Sequence, residues 1–254
     1  MNAQLSMMQT PGERHLNRAA LTIALLMLTG CWLVTAQAAA PGDKHYNEAG
    51  FFDIHVCNWP DLPLFFMPLF STARFSEVQS VEVLTPNGEL LTGLDLGRYR
   101  TIKGDKSPDK RVFITQLDTP ADAVDGWYSA RVRLTGGEEF VAQDYVIVHR
   151  LPQAGGQVPA NDAEVELIPE KLTWDPVPGA GFYQVFIRDL WNDGALIHTS
   201  KLLTRPELEV PPGLLQHGGY YSWIIHARDT NSHILLGDFN HGSLNRPATF
   251  LISE

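Results

Sequence analysis

The chain has 254 residues, of which 44% are hydrophobic and 19% are charged. This is the composition of an ordinary globular protein, and it excludes a fibre, a disordered tail and a polytopic membrane protein. Lys and Arg together number 19 against 29 Asp and Glu, which gives a formal charge of -10. Nucleic acid is therefore excluded as a partner, because binding to phosphates requires a basic surface.

The N-terminal stretch predicts an export signal over residues 1–38. Arg14 and Arg18 precede an apolar run from Ala19 to Val34, and the small-residue triplet Ala36-Gln37-Ala38 follows it. This order is typical of a cleaved signal peptide, which directs the mature protein to the periplasm or out of the cell. A single membrane-spanning helix is the alternative, but the run is marginal for the ~20 apolar residues that a span needs.

A second signal lies within the same run. Leu28-Thr29-Gly30-Cys31 resembles a bacterial lipobox, in which the cysteine is lipidated and becomes the mature N-terminus. Lipidation would hold the protein on a membrane, whereas cleavage after Ala38 would release it. Ordinary cleavage is favoured because the apolar segment continues after Cys31, where a lipidated protein usually begins a polar tether. Both alternatives place the protein in the bacterial envelope or beyond, and membrane attachment is expected only if Cys31 is lipidated.

Cysteine usage excludes an internal disulfide. Cys31 and Cys57 are the only cysteines of the sequence, and Cys31 is either removed or lipidated. For Cys57 the sequence favours a small buried hydrophobe over a reactive or interchain thiol.

After the leader the sequence predicts an all-β fold. Short segments of alternating polarity are separated by turn residues, and none of them sustains a helical period. The roughly 215 mature residues suit two domains of the size of an immunoglobulin-like sandwich. We predict an immunoglobulin-like β-sandwich over residues 45–151, a linker rich in Gly and Pro over 152–162, and a second β-sandwich over 163–254.

The first domain contains clear alternating strands. Phe52, Ile54 and Val56 alternate with Asp53, His55 and Cys57, which predicts a half-buried strand at one edge of the sandwich. Between Tyr128 and Leu134 the even-numbered residues are expected to face inward while Ser129, Arg131 and Arg133 meet water. The portion from Tyr145 to Val148 is apolar enough for a central strand.

The second domain resembles fibronectin type III over roughly residues 163–254. The segment from Leu172 to Val177 is similar to that family's B strand with its core tryptophan, Trp174, and the segment from Tyr183 to Asp189 is similar to its C strand. The segment around Tyr221 resembles the turn that carries the tyrosine corner. The resemblance implies structural roles for Trp174 and Tyr221. The sequence departs from the family between strands F and G, where 230–246 predicts an extra hairpin or a long loop, with 241–243 as a turn.

Common catalytic signatures are missing from the sequence. It contains no G-x-S-x-G elbow, P-loop, H-E-x-x-H or paired C-x-x-C. The densest polar group, Asp229, His233, Asp238, Asn240 and His241, is interpreted as a solvated loop rather than a cation site. His55 beside Cys57 lacks a further ligand, so we predict no metal and no cofactor. Carboxylate-pair catalysis stays open, because the separation of two acids in space is invisible in a sequence.

Two segments carry candidate binding residues. From Trp59 to Phe70, three prolines interrupt an apolar run, which predicts either a loop covering its own sandwich or an exposed partner-binding patch anchored by Phe65, Phe66 and Phe70. Trp191 follows strand C and is expected either to stack on a sugar or to cap the core.

These features favour a non-enzymatic, exported binding or assembly module of the cell envelope with a protein partner. A periplasmic carbohydrate-binding accessory subunit, a hydrolytic enzyme and a structural spacer remain the alternatives. The inference from fold to binding is by analogy, because sandwich scaffolds host many functions on their loops.

Overall fold

The computed structural model describes residues 42–104, 107–229 and 239–254. The predicted signal segment, with Cys31, lies outside them. All the regular elements among the described residues are β-strands, which confirms the all-β prediction. In this part of the chain no helix is long and apolar enough to cross a bilayer. The strands are β1 Tyr46–Asn47, β2 Gly50–Asn58, β3 Phe65–Thr72, β4 Val78–Leu84, β5 Leu90–Gly93, β6 Tyr99–Ile102, β7 Lys110–Ile114, β8 Leu117–Asp118, β9 Gly126–Leu134, β10 Glu139–Val146, β11 Ala163–Val165, β12 Lys171–Thr173, β13 Phe182–Asp189, β14 Ala195–Thr199, β15 Glu207–Glu209, β16 Tyr220–Arg228, β17 His241–Leu244 and β18 Ala248–Ile252.

The first hydrophobic core lies between two sheets. A four-stranded sheet in the order β10-β9-β4-β5 packs against the β2-β3-β7-β6 portion of a larger sheet. On β9 the predicted alternation is present, with Tyr128, Ala130, Val132 and Leu134 buried in this core. The expectation of a central strand near Tyr145 is wrong, because β10 is the end strand of its sheet.

Strands β2 and β3 are buried on both faces. Every residue from Phe51 to Asn58 is buried, so the prediction of a half-buried edge strand at β2 is wrong. The apolar run that follows is the central strand β3, which pairs with β2 on one side and with β7 and β8 on the other. Pro60 and Pro63 precede this strand, and only Pro68 lies within it. A continuous apolar run is what a strand buried on both faces requires.

The second core contains the aromatic residues that carry the sequence resemblance. Trp174, Tyr183, Tyr221 and Trp223 are buried together, with the rings of Trp174 and Tyr183 at 5.3 Å. The Tyr221 hydroxyl accepts a hydrogen bond from the backbone N–H of Gln216 at 3.0 Å, which is the geometry of a tyrosine corner. The segment expected to be a linker is not a free spacer, because Ala154 lies in this core and Val158 pairs with Thr173. The domain boundaries themselves stay a prediction.

Strand β17 joins the two cores through one sheet. It lies antiparallel to β16 and parallel to β2, so the strand order runs β18-β16-β17-β2-β3. The prediction of a turn at 241–243 is therefore wrong. Gly242 permits the strand here because an added Cβ would lie 2.6 Å from both His226 Nε2 and a ring carbon of Phe239. Further hydrogen bonds cross the same junction, from Asn58 Nδ2 to the Leu151 carbonyl and from Ser243 Oγ to the Pro152 carbonyl.

Candidate functional site

The predicted apolar anchors are not on the surface. Phe65, Phe66 and Phe70 have no exposed area, because they lie on the strand β3. Phe66 and Phe70 belong to the first core, while Phe65 packs with Trp59 beside the junction of the two cores. The interpretation of these three residues as an exposed partner-binding patch is therefore wrong.

Trp191 lies on the surface in the turn between β13 and β14. Its side chain is 69% exposed, its Nε1 donates to the Gly218 carbonyl at 3.0 Å, and its ring lies 5.4 Å from that of Tyr220. The hydrogen bond restrains the indole while leaving most of the ring in contact with solvent. Trp191 does not cap the second core.

A larger exposed apolar surface covers β9 and β10. Trp127 and Tyr145 lie directly opposite each other in the strand pair, with their rings 5.3 Å apart, and they are 40% and 44% exposed. Val141 (53%) and Ile147 (43%) are also exposed, and their positions along the chain place them on the same face of β10 and its continuation. Lys44 Nζ lies 4.0 Å from the centre of a Trp127 ring. We call Trp127, Val141, Tyr145 and Ile147 the β9–β10 surface.

Sequence reasoning missed this surface although the signal was present. Trp127 has the same parity as Ser129, Arg131 and Arg133, which were expected to face water. The same alternation therefore directs Trp127 outward.

A buried polar cluster lies where β10 approaches the edge of β2. It comprises His45, Asp53 and Asp144, all buried, whose ligand-capable atoms lie within 4.8 Å of one another. His45 Nε2 is 2.9 Å from Asp144 Oδ1, and its Nδ1 is 3.0 Å from Asp43 Oδ1. Asp53 Oδ2 accepts a hydrogen bond from His55 Nε2 at 3.0 Å, whereas its Oδ1 is buried with no hydrogen-bond partner.

Backbone pairing explains the position of Asp144. Along the same edge of β2, the N–H of Phe52 donates to the His45 carbonyl and the N–H of Val56 donates to the Asn240 carbonyl. The N–H of Ile54 falls between these two bonds and donates to Asp144 Oδ2 at 2.8 Å. The carboxylate therefore satisfies a backbone donor that would otherwise be buried without a partner.

Burial and neighbouring charges strongly shift the pKa values of the residues in this cluster. Burial and the negative charge of Asp144 raise the pKa of Asp53 well above its usual range. Burial by itself would lower the pKa of His45, but the hydrogen bond and charge of Asp144, with the charge of Asp53 and the hydrogen bond of Asp43, raise it to about 9. The negative charge of the buried carboxylates is thus balanced by protonation of His45 or of Asp53 itself.

A second group of buried polar side chains lies near the junction of the cores. Arg228 donates from Nε to His226 Nδ1 at 2.9 Å and from a terminal nitrogen to Gln184 Oε1 at 2.5 Å. Phe239 separates His226 from His55, with ring centres 5.0 and 3.9 Å away. Burial, and then the charge of Arg228, lowers the pKa of His55 to about 3. Both histidines are neutral at ordinary pH.

The other polar residues singled out in the sequence have ordinary structural contacts. His241 Nδ1 lies 2.5 Å from Asp229 Oδ2, and its Nε2 contacts the Ile147 carbonyl. His233 and Asp238 lie outside the described residues. Cys57 is fully buried, and burial raises the pKa of its thiol, which disfavours the reactive thiolate.

Comparisons with known proteins yield only distant similarity. No protein-family model and no curated protein matches the sequence. Among solved structures, a run of titin domains aligns with 79% of this chain at 12% identity and a TM-score of 0.27. Latent PorU from Porphyromonas gingivalis aligns with 86% at 10% identity (TM-score 0.28), and the native conformation of E. coli alpha-2-macroglobulin aligns with 88% at 14% identity (TM-score 0.23). The chain spans 62%, 22% and 15% of these three chains, respectively.

Proposed function

We propose that the protein is a non-enzymatic binding module of the bacterial envelope and that its β9–β10 surface binds a protein partner. The observation that supports this is the exposure of four large apolar side chains on the outward face of one strand pair. Aromatic residues on a rigid support concentrate binding energy, since little conformational entropy is lost when they are covered. Strand pairing fixes Trp127 opposite Tyr145 before any partner arrives.

The proposal is tested with a double variant, Trp127→Ser with Tyr145→Ser. Wild-type protein is used as bait in native envelope extract, with untreated and protease-treated extract compared. We expect a stoichiometric, protease-sensitive partner whose retention falls at least about tenfold in the variant, the loss produced by about 1.4 kcal/mol of binding free energy. The partner is then purified and its binding to both proteins is measured by titration.

A matched control removes apolar side chains from another exposed place. Leu90→Ser with Tyr99→Ser alters exposed residues of β5 and β6, and it should retain the partner. Equal retention by both variants and the wild type would contradict the assignment of the surface, and so would equal loss by both. Circular dichroism and thermal melting establish that each variant is folded.

The location of the protein forms part of the same proposal. The export signal in the sequence supports a periplasmic or secreted protein, and Cys31 supports a lipid-anchored alternative. Mass spectrometry of the mature N-terminus separates the two, because cleavage after Ala38 leaves an unmodified Ala39 whereas lipidation leaves an acylated Cys31. An intact residue 1 would contradict both.

Trp191 supports a second candidate function, carbohydrate binding as an accessory subunit of an envelope enzyme. An exposed indole beside Tyr220 is the kind of platform on which a sugar ring stacks. Trp191→Ala should abolish retention of the protein on an insoluble envelope glycan while leaving capture of the protein partner unchanged. Failure of both the wild type and Trp191→Ala to be retained on the glycan would remove this candidate. Cleavage of the glycan by the wild type would instead favour the hydrolytic alternative.

We also infer that the second core belongs to a domain of the fibronectin type III kind. The supporting features are the buried Trp174 and the bond from the Gln216 N–H to the Tyr221 hydroxyl. The sequence resemblance implies a structural role for both residues, and these contacts support the inference.

A further inference from the structure

We propose that His45, Asp53 and Asp144 form a binding site for one divalent transition-metal ion, with Asp43 orienting the histidine. The three ligand atoms lie within 4.8 Å of one another, and all three residues are buried. One imidazole with two carboxylates suits zinc and its neighbours in the first transition row, whereas magnesium and calcium prefer oxygen ligands alone.

The first argument comes from the hydrogen bonds of His45. Its Nδ1 and its own backbone N–H both lie 3.0 Å from Asp43 Oδ1. A neutral histidine that donates its Nδ1–H to Asp43 presents a lone pair at Nε2, and this atom faces Asp144 Oδ1 at 2.9 Å. Two lone pairs at that distance repel each other, so either a proton or a metal ion must lie between them, and a metal ion that binds here would displace the proton. A carboxylate on the far nitrogen is also the usual partner of a metal-bound histidine.

The second argument comes from Asp53. Its side chain is only 1% exposed, and its Oδ1 has no hydrogen-bond partner although Oδ2 is held by His55. A buried carboxylate oxygen without a donor is costly, and a second buried carboxylate, Asp144, faces the same space. A divalent ion can accept a lone pair from both carboxylates and from the imidazole at once, whereas a single proton bridges only two of these groups.

Metal binding requires the three ligand atoms, which lie within 4.8 Å of one another, to shift relative to one another by up to about 1.4 Å. Zinc bonds of about 2.0 to 2.2 Å in a tetrahedral site separate neighbouring ligand atoms by roughly 3.4 Å. The His45 to Asp144 pair must therefore open by about half an ångström from its present 2.9 Å. Asp144 Oδ2 stays on the Ile54 N–H, and a water molecule completes the coordination. The site would tie the segment before β2 to β10 and so stabilise the first core.

Zinc titration of the metal-free protein tests the proposal. The purified protein is freed of metal by chelator dialysis and titrated with zinc chloride by calorimetry, with thermal unfolding followed in parallel. We expect one zinc per chain and a higher melting temperature with zinc, since an ion that binds only the folded state stabilises it. No calorimetric binding and no shift in melting temperature would overturn the proposal.

Variants place the ion. Asp53→Asn keeps the shape of the side chain but removes a charged ligand, so we expect the zinc affinity to fall by at least about a hundredfold. Asp43→Asn weakens only the orientation of His45 and should lower the affinity by about ten- to a hundredfold. The control, Asp229→Asn, disrupts a partly buried His–Asp contact outside the proposed ligand set, that with His241, and should bind zinc as the wild type does.

Two further outcomes would contradict the assignment. Undiminished zinc binding by Asp53→Asn would place the ion elsewhere. Equal weakening by Asp229→Asn would indicate a general loss of structure, which circular dichroism of the metal-free variants detects. If Asp53→Asn fails to fold, the milder Asp43→Asn still decides, because unchanged zinc affinity in that variant contradicts the proposed role of Asp43 at His45.

Discussion

At the scale of single residues, the surroundings of two buried histidines, His45 and His226, shift their pKa values in opposite directions. His45 lies between carboxylates, which raise its pKa, whereas His226 accepts a hydrogen bond from the Arg228 guanidinium at Nδ1. Protonation of His226 would place an N–H against the Nε–H of Arg228. Burial and this positive charge hold the pKa of His226 well below its usual value of 6.5.

His226 therefore predicts a pH dependence of stability. A histidine whose pKa is lowered by folding contributes stability that is fully present above about pH 6.5 and is lost as the pH falls. The reason is that the unfolded chain then binds a proton at this histidine while the folded chain does not. We expect His226→Gln to reduce the acid-side slope of unfolding free energy against pH by about 1.4 kcal/mol per pH unit. Urea unfolding between about pH 7 and pH 4.5 measures the slope.

The control for this experiment is an exposed histidine. His217→Gln alters a side chain at the protein surface, where Nδ1 contacts the Ser253 carbonyl. Slopes that are the same for His226→Gln and the wild type would contradict a buried neutral histidine at this position.

At the scale of elements, the turn before β16 is held by the hydroxyl of Tyr221. The ring packs 5.7 Å from that of Phe250 on the paired strand β18, and the hydroxyl accepts the Gln216 N–H. The residue thus combines core packing with satisfaction of a backbone donor in the connection that enters β16. This arrangement explains why a tyrosine rather than a phenylalanine occupies the position.

Tyr221→Phe should separate the two contributions. The ring stays in the core, but the N–H of the exposed residue Gln216 loses its acceptor, so we expect a loss of about 0.5 to 1.5 kcal/mol in the free energy of unfolding. Tyr221→Ala removes the ring as well and should cost about 3 to 5 kcal/mol. Denaturant titration measures both variants, with Tyr220→Phe, the half-buried neighbour beside Trp191, as the control. A Tyr221→Phe variant as stable as the wild type would contradict the role of the hydroxyl.

At the scale of the whole molecule, β17 joins strands of the two cores into one sheet. It bonds to β16, which belongs to the second core, and to β2, which belongs to the first. Cys57, Phe186, Ile224 and Leu244 form a smaller apolar cluster across the same junction. Because the pairing and the packing both cross it, we expect the two cores to unfold in a single cooperative transition.

Gly242→Ala tests this coupling. The added Cβ would lie 2.6 Å from the His226 and Phe239 rings, which should displace β17 at a cost of about 1 to 3 kcal/mol, the range for overpacking a core. We expect calorimetry to show one transition for the wild type, with equal calorimetric and van't Hoff enthalpies, and two for the variant. The control is Gly93→Ala in the edge region of β5, where an added Cβ meets its nearest atom at 3.9 Å. Two transitions in the wild type would contradict the coupling.

The sequence by itself determined the local structure. Alternation placed Tyr128 and Val132 of β9 inward, and the segments around Trp174 and Tyr221 carried enough pattern to locate strands and a corner. These features depend on residues that are close together in the sequence, so the spacing of apolar and polar residues is enough to predict them.

Tertiary structure alone decided the burial of β2 and β3, the place of β17 and the polar cluster. The prolines around Phe65 and Phe66 favoured a surface patch over a strand in the sequence. In the structure these residues pair with β2 and β8, and two apolar clusters packed on the faces of the sheet bury their side chains. Asp144 is 91 residues from Asp53 along the chain, yet the hydrogen bond from the Ile54 N–H of β2 to Asp144 of β10 brings the two carboxylates together. Contacts between residues so far apart follow from strand order and sheet packing, which no local period in a single sequence specifies.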